Sequence, residues 1–391
     1  MTIDVDRVRA LTPGCANRIH LNSAGAALMS QHVIDTQLDH IRLEGDIGGY
    51  EAARERSDAF FATYDSVATL VGGKPEEVAM VENATVAWNL AFGSIDFEPG
   101  DRVLTTEAEY GANVVAYLKA VDDLGIEIVV VPSDETGEID LNALRGAIDD
   151  RTKLISITHI PTNGGLVNPA AGVGGIARDA GIPFLLDACQ SVGQLDLDVE
   201  QIGCDFLSAS GRKYLRAPRG TGFLWIRESM LERVEPPVVD HHSANWVALD
   251  RYELLPDAKR YENWEFNHAA VIGLGAAVDE ALELGMPAIE ASVRDLAMSL
   301  RSRLDDAGFE TFDLGRAPGA IVTTAVPGVD AGAAQSKLYD RGINVSVSTP
   351  DSTLIDAEKR NLPEMIRSSV HYYNTEDELD VFVSAVEEIR G

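Results

Sequence analysis

Residues 183–227 read PFLLDACQSVGQLDLDVEQIGCDFLSASGRKYLRAPRGTGFLWIR. An apolar run of strand length, Pro183 to Leu186, is followed by Asp187, and a second run, Asp205 to Ser208, is followed closely by Lys213. Ligands of parallel α/β sheets collect at the carboxyl ends of the strands. We therefore expect this acid and this amine to meet over one bound molecule.

The pairing of Asp187 with Lys213 suggests pyridoxal phosphate. This cofactor requires an amine that holds its aldehyde as a Schiff base and a carboxylate that keeps its ring nitrogen protonated. Upstream, a predicted strand from Glu77 to Glu82 precedes a helix that opens at Asn83 to Thr85. A helix N-terminus offers unpaired amide groups to a phosphate and the Thr85 hydroxyl adds a donor, but a plain helix cap uses the same residue types.

Strands and helices alternate through the first part of the chain. The predicted strands are Arg102 to Thr106, Ile126 to Pro132 and Lys153 to His159, and the predicted helices are Ala112 to Leu124, Leu141 to Ile148 and Ala170 to Ala180. This rhythm is typical of a mostly parallel, doubly wound sheet of the α/β class. The glycines of Ala171 to Gly175 lie inside a helical pattern, so they do not form a dinucleotide-binding fingerprint.

The remainder predicts a second, smaller unit. Residues 30–71 have a helical pattern, and Glu235 to Arg260, rich in Pro, Asp and His, is interpreted as a loop near a domain boundary. We expect a large domain at 26–260 and a small α+β domain formed by 1–25 and 261–391. Its predicted elements are helices at Ala269 to Leu284, Ala288 to Ala307, Gly332 to Asp340 and Glu376 to Ile389, with strands near Ala320 to Val326 and Ile343 to Val347.

Composition narrows the classes of function. The 391 residues include 63 acidic and 32 basic side chains, for a formal net charge of -31. Such a surface repels nucleic acid and anionic membranes, so neither is an expected partner. Cys15, Cys189 and Cys204 are too few and too dispersed for a disulfide framework or a metal site, which favours a reducing compartment. No apolar stretch has the length of a signal or a membrane span, so a cytoplasmic enzyme is expected.

Four motifs carry a resemblance to a known family. They are THIPTNGGLVNP (158–169), LLDACQSVGQ (185–194), SASGRKYLRAPRGTGFLW (208–225) and IRSSVHYYNTEDELD (366–380). In this order the chain resembles the class V aminotransferase group of fold-type I pyridoxal phosphate enzymes, within it the cysteine desulfurase and isopenicillin N epimerase-like branch. The resemblance implies a mostly parallel, doubly wound sheet of the seven-stranded type, a smaller C-terminal α+β domain, and a homodimer.

The resemblance also implies roles for individual residues. Lys213 matches the Schiff-base lysine, Asp187 the partner of the pyridine nitrogen, and Gln190 the residue that hydrogen-bonds the ring hydroxyl. Tyr110 stands where desulfurases stack a histidine over the ring, and a phenol stacks but shuttles protons poorly near neutral pH. The expected phosphate cradle consists of Thr85, Ser210, Arg212 and the amide of Ala84.

On the substrate side, Arg367 matches the arginine that grips the α-carboxylate, and Thr162 and Asn163 fall where the family contacts the substrate. Arg260 to Asn267 matches a loop that reaches the neighbouring subunit's phosphate, but Glu265 replaces a small hydroxyl residue there and is given no phosphate role. His159, Cys189 and Cys204 are interpreted as packing residues.

The sequence leaves the reaction open. Desulfurases carry sulfur on a loop cysteine, and the corresponding segment, Gly342 to Arg367, contains Ser and Thr but no Cys. A hydroxyl cannot replace a thiolate in accepting sulfur, which argues against a persulfide-forming desulfurase. Since Gly45 to Ala53 is similar to hercynylcysteine sulfoxide lyases, the favoured hypothesis is a carbon–sulfur β-lyase that acts on a cysteine-derived amino acid. The alternatives are a class V aminotransferase or amino-acid epimerase, and a non-catalytic relative that binds the cofactor.

Overall fold

A computed structural model describes residues 3–391. The strands are β1 (Ile19–His20), β2 (Val78–Val81), β3 (Arg102–Thr106), β4 (Glu127–Val131), β5 (Thr152–Thr158), β6 (Phe184–Asp187), β7 (Phe206–Ser210), β8 (Gly222–Ile226), β9 (Ala244–Ala248), β10 (Arg251–Leu254), β11 (Ile321–Thr324), β12 (Ile343–Asn344), β13 (Ser346–Ser348) and β14 (Met365–Ser369).

The helices alternate with these strands in the first part of the chain. They are α1 (Val5–Ala10), α2 (Ser23–Ala26), α3 (Gln31–Ile47), α4 (Gly49–Glu55), α5 (Ser57–Val71), α6 (Ala84–Gly93), α7 (Gly111–Leu124), α8 (Leu141–Ala147), α9 (Ala170–Ala180), α10 (Val199–Ile202), α11 (Glu228–Leu231), α12 (His268–Leu284), α13 (Met286–Asp306), α14 (Ala331–Asp340), α15 (Leu354–Arg360) and α16 (Glu376–Arg390).

The central sheet has seven strands in the order β2-β8-β7-β6-β5-β3-β4. Strands β3 to β7 are parallel to their neighbours within this group, whereas β8 runs antiparallel to both β7 and β2. The predicted α/β class and the mostly parallel, doubly wound sheet are therefore confirmed. Asp187 closes β6 and lies in register with Thr158 of β5 and Ser208 of β7, so the carboxyl ends of three adjacent strands meet there.

Apolar residues of the strands pack alternately on the two faces of this sheet. Phe184 and Leu207 belong to one buried cluster, which continues through Ile321 and Phe382, and Leu185 belongs to a second cluster on the opposite face. Strands buried on both faces need continuous apolar runs, as FLL in β6 illustrates. Because the first cluster crosses residue 260, packing does not separate the two predicted domains, and their boundaries stay a prediction.

The C-terminal part forms its own small antiparallel sheet, in the order β11-β14-β13. The N-terminal strand β1 pairs in parallel with β12, and Asn22 bridges to Ser369 of β14. The described part of the N-terminal arm thus packs with C-terminal residues. Among residues 3–391, no helix combines the length and apolarity needed to cross a bilayer.

The interpretation of Glu235 to Arg260 as a loop was wrong in part. Ala244–Ala248 and Arg251–Leu254 form an antiparallel hairpin whose side chains are mostly exposed. Its sequence, ANWVALDRYEL, has Trp246 and Val247 before a Leu-Asp turn and Tyr252 after it, residue types that favour strands. The flanking Pro, Asp and His residues concealed this short strand pattern.

Candidate active site

A cavity of about 270 Å³ opens where β5, β6 and β7 end. Thr158, Asp187 and Ser210, the last residues of these strands, lie in its wall. The cavity brings together all of the predicted site residues except Asn163 and Arg367. Those that line it are Ala84, Thr85, Tyr110, Thr162, Asp187, Gln190, Ser210, Arg212 and Lys213.

Both oxygens of the buried Asp187 carboxylate accept hydrogen bonds. The backbone N–H of Cys189 donates to Oδ1 at 2.9 Å, and Nδ2 of Asn113 donates to Oδ2 at 3.0 Å. Burial raises the pKa of Asp187, and these two hydrogen bonds and the charge of Lys213 oppose the rise. A buried carboxylate is stable when a cation faces it, and a protonated pyridine nitrogen is such a cation.

The Lys213 side chain is buried in the cavity wall, just beyond the end of β7. Among residues 3–391, no hydrogen bond or ion pair engages its amine. A lysine that is buried, close to a carboxylate and free of other partners is suited to hold an aldehyde. The predicted amine and acid therefore lie together, as the strand ends suggested.

The N-terminus of α6 forms another part of the cavity wall. Asn83 caps this helix by accepting a hydrogen bond from the N–H of Val86, and the N–H of Ala84 donates to Oγ of Ser210 at 2.9 Å. Thr85 and Arg212 complete a set of donors suited to a phosphate. The turn before α6 approaches β8 so closely that a Cβ on Gly222 would lie 2.9 Å from Cα of Asn83.

Gln190 carries an unsatisfied polar atom. Its Nε2 donates to the backbone oxygen of Ala24 at 3.2 Å, while its buried Oε1 has no hydrogen-bond partner in the described part of the chain. Buried polar atoms rarely remain unpaired in a native protein. A ligand hydroxyl would satisfy this atom, so the residue fits the role that the resemblance implies.

Arg367 lies on β14, behind Thr162. Its Nη1 donates to Oγ1 of Thr162 at 2.5 Å, and its buried Nε has no partner among the described residues. Burial lowers the pKa of Arg367, and no carboxylate of residues 3–391 pairs with it. A buried guanidinium with a free edge beside the cavity can grip a substrate carboxylate.

Asn163 does not line the cavity. Its Nδ2 donates to the backbone oxygen of Thr349 at 3.0 Å and to Oγ1 of Thr353 at 2.9 Å, and its Oδ1 accepts from Ser348. The side chain thus anchors the segment from Ser348 to Thr353. These contacts do not support a direct contact with substrate, which stays a prediction.

Sequence reasoning missed three residues of the site. Asn113 and Glu109, one helical turn apart in EAEYGAN, form a hydrogen-bonded pair behind Asp187. Cys189, interpreted as a packing residue, is half-buried in the cavity wall. The spacing of four between Glu109 and Asn113 at the start of a helix was the available signal. Tyr110 lines the cavity, and burial raises its pKa.

Comparisons with known proteins agree with this geometry. The family model "Aminotransferase class-V" matches residues 19–382. A probable cysteine desulfurase of Halobacterium salinarum is 30% identical over 405 residues, covering 99% of this chain and 97% of the relative.

Solved structures give the same result. The apo structure of a cysteine desulfurase from Thermococcus onnurineus superposes with a TM-score of 0.92 at 26% identity, covering 100% of this chain and 98% of the other. The cystine C–S lyase C-DES, in complex with its reaction product cysteine persulfide, shares the fold with a TM-score of 0.86 at 20% identity, covering 96% and 99%. The predicted family, fold and cofactor are confirmed: the chain belongs to the class V aminotransferase family and is a pyridoxal-phosphate-dependent enzyme of fold type I.

Proposed function

We propose that this enzyme is a carbon–sulfur β-lyase that acts on a cysteine-derived amino acid without a persulfide-forming cysteine. The observation that carries the proposal is the meeting of Lys213 and Asp187 in one cavity, with Arg367 bonded to Thr162 of the cavity wall and its Nε without a partner among the described residues. The similarity to proteins named cysteine desulfurase supports a sulfur-bearing amino acid as the substrate.

Each side chain has a definable task. When bound, pyridoxal phosphate supplies a ring that accepts electrons from the α-carbon of the substrate. The Lys213 amine would remove the α-proton, and the negative Asp187 carboxylate would stabilise the positive charge of the ring nitrogen. Arg367, braced by Thr162, binds the α-carboxylate and so fixes which bond at the α-carbon breaks.

The proposed elimination balances without a sulfur acceptor on the protein. The α-proton goes to Lys213, the electron pair of the Cα–H bond forms a Cα–Cβ double bond, and the electron pair of the carbon–sulfur bond leaves with sulfur as a thiolate, which then takes up a proton. Hydrolysis of the released 2-aminoacrylate by water yields pyruvate and ammonia.

The positions of the cysteines favour elimination over sulfur transfer to the chain. Cys204 is buried, and burial raises its pKa far above the ordinary value for a thiol; burial also raises the pKa of Cys15. Cys189 lines the cavity, but its N–H bond to Asp187 fixes it beside a strand end. The segment that carries the sulfur-accepting cysteine in desulfurases is here held by Asn163 and offers only hydroxyls, such as those of Ser348 and Thr353.

A homodimer in a reducing, cytoplasmic compartment is part of the proposal. Large apolar side chains are exposed on the β9–β10 hairpin and beside it: Leu249 is 94% exposed, Trp246 67% and Trp264 59%. Large exposed apolar side chains concentrated in one short part of the chain favour an interaction site, and most soluble oligomers are symmetric pairs of one chain. The free state of Cys15, Cys189 and Cys204 supports the compartment.

The test is incubation of the purified enzyme with a panel of L-amino acids that includes cysteine, cystine, S-alkyl cysteines and cysteine sulfoxides. Pyruvate released over many turnovers, with the cofactor retaining its aldehyde form, is the expected result. A keto acid formed together with one equivalent of the amine form of the cofactor would indicate an aminotransferase instead. Inverted amino acid would indicate an epimerase.

A further inference from the structure

A second buried carboxyl group lies behind Asp187. Glu109 is 1% exposed and precedes α7. Its Oε2 accepts from the Thr105 hydroxyl at 2.7 Å, and its Oε1 accepts from the Tyr110 N–H at 2.9 Å and from the Thr158 hydroxyl. No cation pairs with Glu109 in the part of the chain that the structure describes. Glu109 is thus held by donors from β3, β5 and the start of α7.

Asn113 joins the two carboxyl groups. Its Nδ2 donates to Oε1 of Glu109 at 2.9 Å and to Oδ2 of Asp187 at 3.0 Å. An amide nitrogen carries two hydrogens, so one can point to each carboxyl group. Rotation of the amide by 180° would place its oxygen against two acceptor oxygens. Both carboxyl groups therefore fix the same orientation of Asn113.

We propose that Glu109 is a positioning residue that holds Asp187 in place through Asn113. Glu109 does not line the cavity, so it touches neither cofactor nor substrate. Its four donors fix its position, and Asn113 transmits that position to the Asp187 oxygen. The ring nitrogen of the cofactor then meets a carboxylate whose direction is set before binding. This role is independent of the reaction that follows.

Other groups also face this pair. The buried phenol of Tyr117 lies close enough to Glu109 to interact electrostatically with it, and Lys213 interacts with Asp187 from the cavity side. Burial raises the pKa of Glu109, and its hydrogen bonds to Thr158, Thr105 and Asn113 oppose the rise. Glu109 could therefore act through its charge or through the orientation of Asn113, and the test must separate these two effects.

The experiment measures the dissociation constant of pyridoxal phosphate by titrating cofactor-free protein. Glu109→Ala and Asn113→Ala should each weaken cofactor binding about tenfold, because each removes a hydrogen bond to a charged group. The double variant should bind the cofactor no more weakly than either single variant, since Glu109 acts through Asn113. In an Asp187→Ala background, Glu109→Ala should change the constant less than about twofold.

Glu109→Gln provides the rescue. Gln keeps the size and the Oε1 acceptor that orients Asn113, so binding should stay within about threefold of the parent. Glu138→Ala is the matched control, since Glu138 is a buried carboxylate paired with Arg316 outside this cavity. It should leave cofactor binding unchanged.

Two outcomes would overturn the proposal. The first is that the double variant weakens cofactor binding by the product of the two single effects of Glu109→Ala and Asn113→Ala. The second is that Glu109→Ala weakens cofactor binding as much in the Asp187→Ala background as in the parent. Urea unfolding of each cofactor-free variant checks for a fold defect. If Glu109→Ala does not fold, Glu109→Leu, which removes the acceptor oxygens at nearly the same size, replaces it in the same comparisons with Asn113→Ala and Asp187→Ala.

Discussion

Replacement of Arg367 by lysine tests the substrate end of the site. The guanidinium bonds Thr162 through Nη1, while its buried Nε has no partner in the described chain. The Arg367 side chain can therefore keep its hydrogen bond to Thr162 and still donate other N–H groups to a substrate carboxylate. Lysine keeps the positive charge but offers a single nitrogen, which cannot serve both partners with fork geometry.

The loss can be worked out from the hydrogen bonds. A hydrogen bond to a charged group contributes about 1.5–3 kcal/mol. In the proposed complex Arg367 makes two such bonds to the substrate carboxylate. Arg367→Lys should remove one of them, which would cost about 2 kcal/mol and raise KM roughly 30-fold. Arg367→Met removes both bonds and the charge, for a loss of about 4 kcal/mol, or roughly a thousandfold in kcat/KM.

The assay is steady-state turnover of an amino acid and, in parallel, titration of the visible spectrum of the bound cofactor with the same amino acid. Arg316→Lys, at an exposed ion pair with Asp134, is the control and should change neither measurement. An analogue that lacks the carboxylate should be equally weak with parent and variant. The assignment of Arg367 is refuted if Arg367→Lys leaves KM unchanged. It is also refuted if the substitution weakens binding of the analogue as much as binding of the amino acid.

Three further predictions concern other parts of the chain. Buried His159 has a pKa lowered to about 4 from 6.5, so below pH 6.5 the unfolded chain binds a proton that the folded chain does not. The free energy of unfolding, measured with urea, should therefore fall by up to about 3 kcal/mol between pH 6.5 and pH 4. The fall should be smaller in His159→Gln and unchanged in His32→Gln, a control at an exposed histidine. Asn163→Ala should speed proteolysis within the anchored segment from Ser348 to Thr353, and unchanged cleavage would contradict the anchoring role. Trp246→Glu should lower the mass measured by light scattering from two chains to one, and an unchanged mass would place the dimer interface elsewhere.

Much of the fold could be predicted because its signals are local. The apolar runs of β3 and β6 and the helix-opening Asn83 depend on short-range periodicity and capping, and the structure places them within a residue or two of the expected bounds. The meeting of Asp187 and Lys213 followed from a general rule about parallel sheets. These features need no knowledge of distant contacts.

Other features depended on contacts that sequence does not reveal. Thr162 and Asn163 are adjacent and polar, yet one faces the cavity and the other anchors a segment almost 190 residues away in the chain, as the bonds to Thr349 and Thr353 show. The position of Glu109 behind Asp187 likewise depends on hydrogen bonds between the start of α7 and the ends of β3, β5 and β6. The hairpin at Ala244–Leu254 was missed because its strands are exposed and short, which leaves little alternation of apolar and polar residues.

Covalent attachment of pyridoxal phosphate to the Lys213 amine is the central requirement of the proposed chemistry. The direct measurement is reduction of the purified enzyme with borohydride, followed by proteolysis and mass spectrometry of the lysine-containing peptides. We expect a pyridoxyl phosphate adduct on Lys213, and its absence from the Lys213→Ala variant together with loss of the visible absorption band. An adduct on another lysine of the parent enzyme, or none after saturation with the cofactor, would contradict the account.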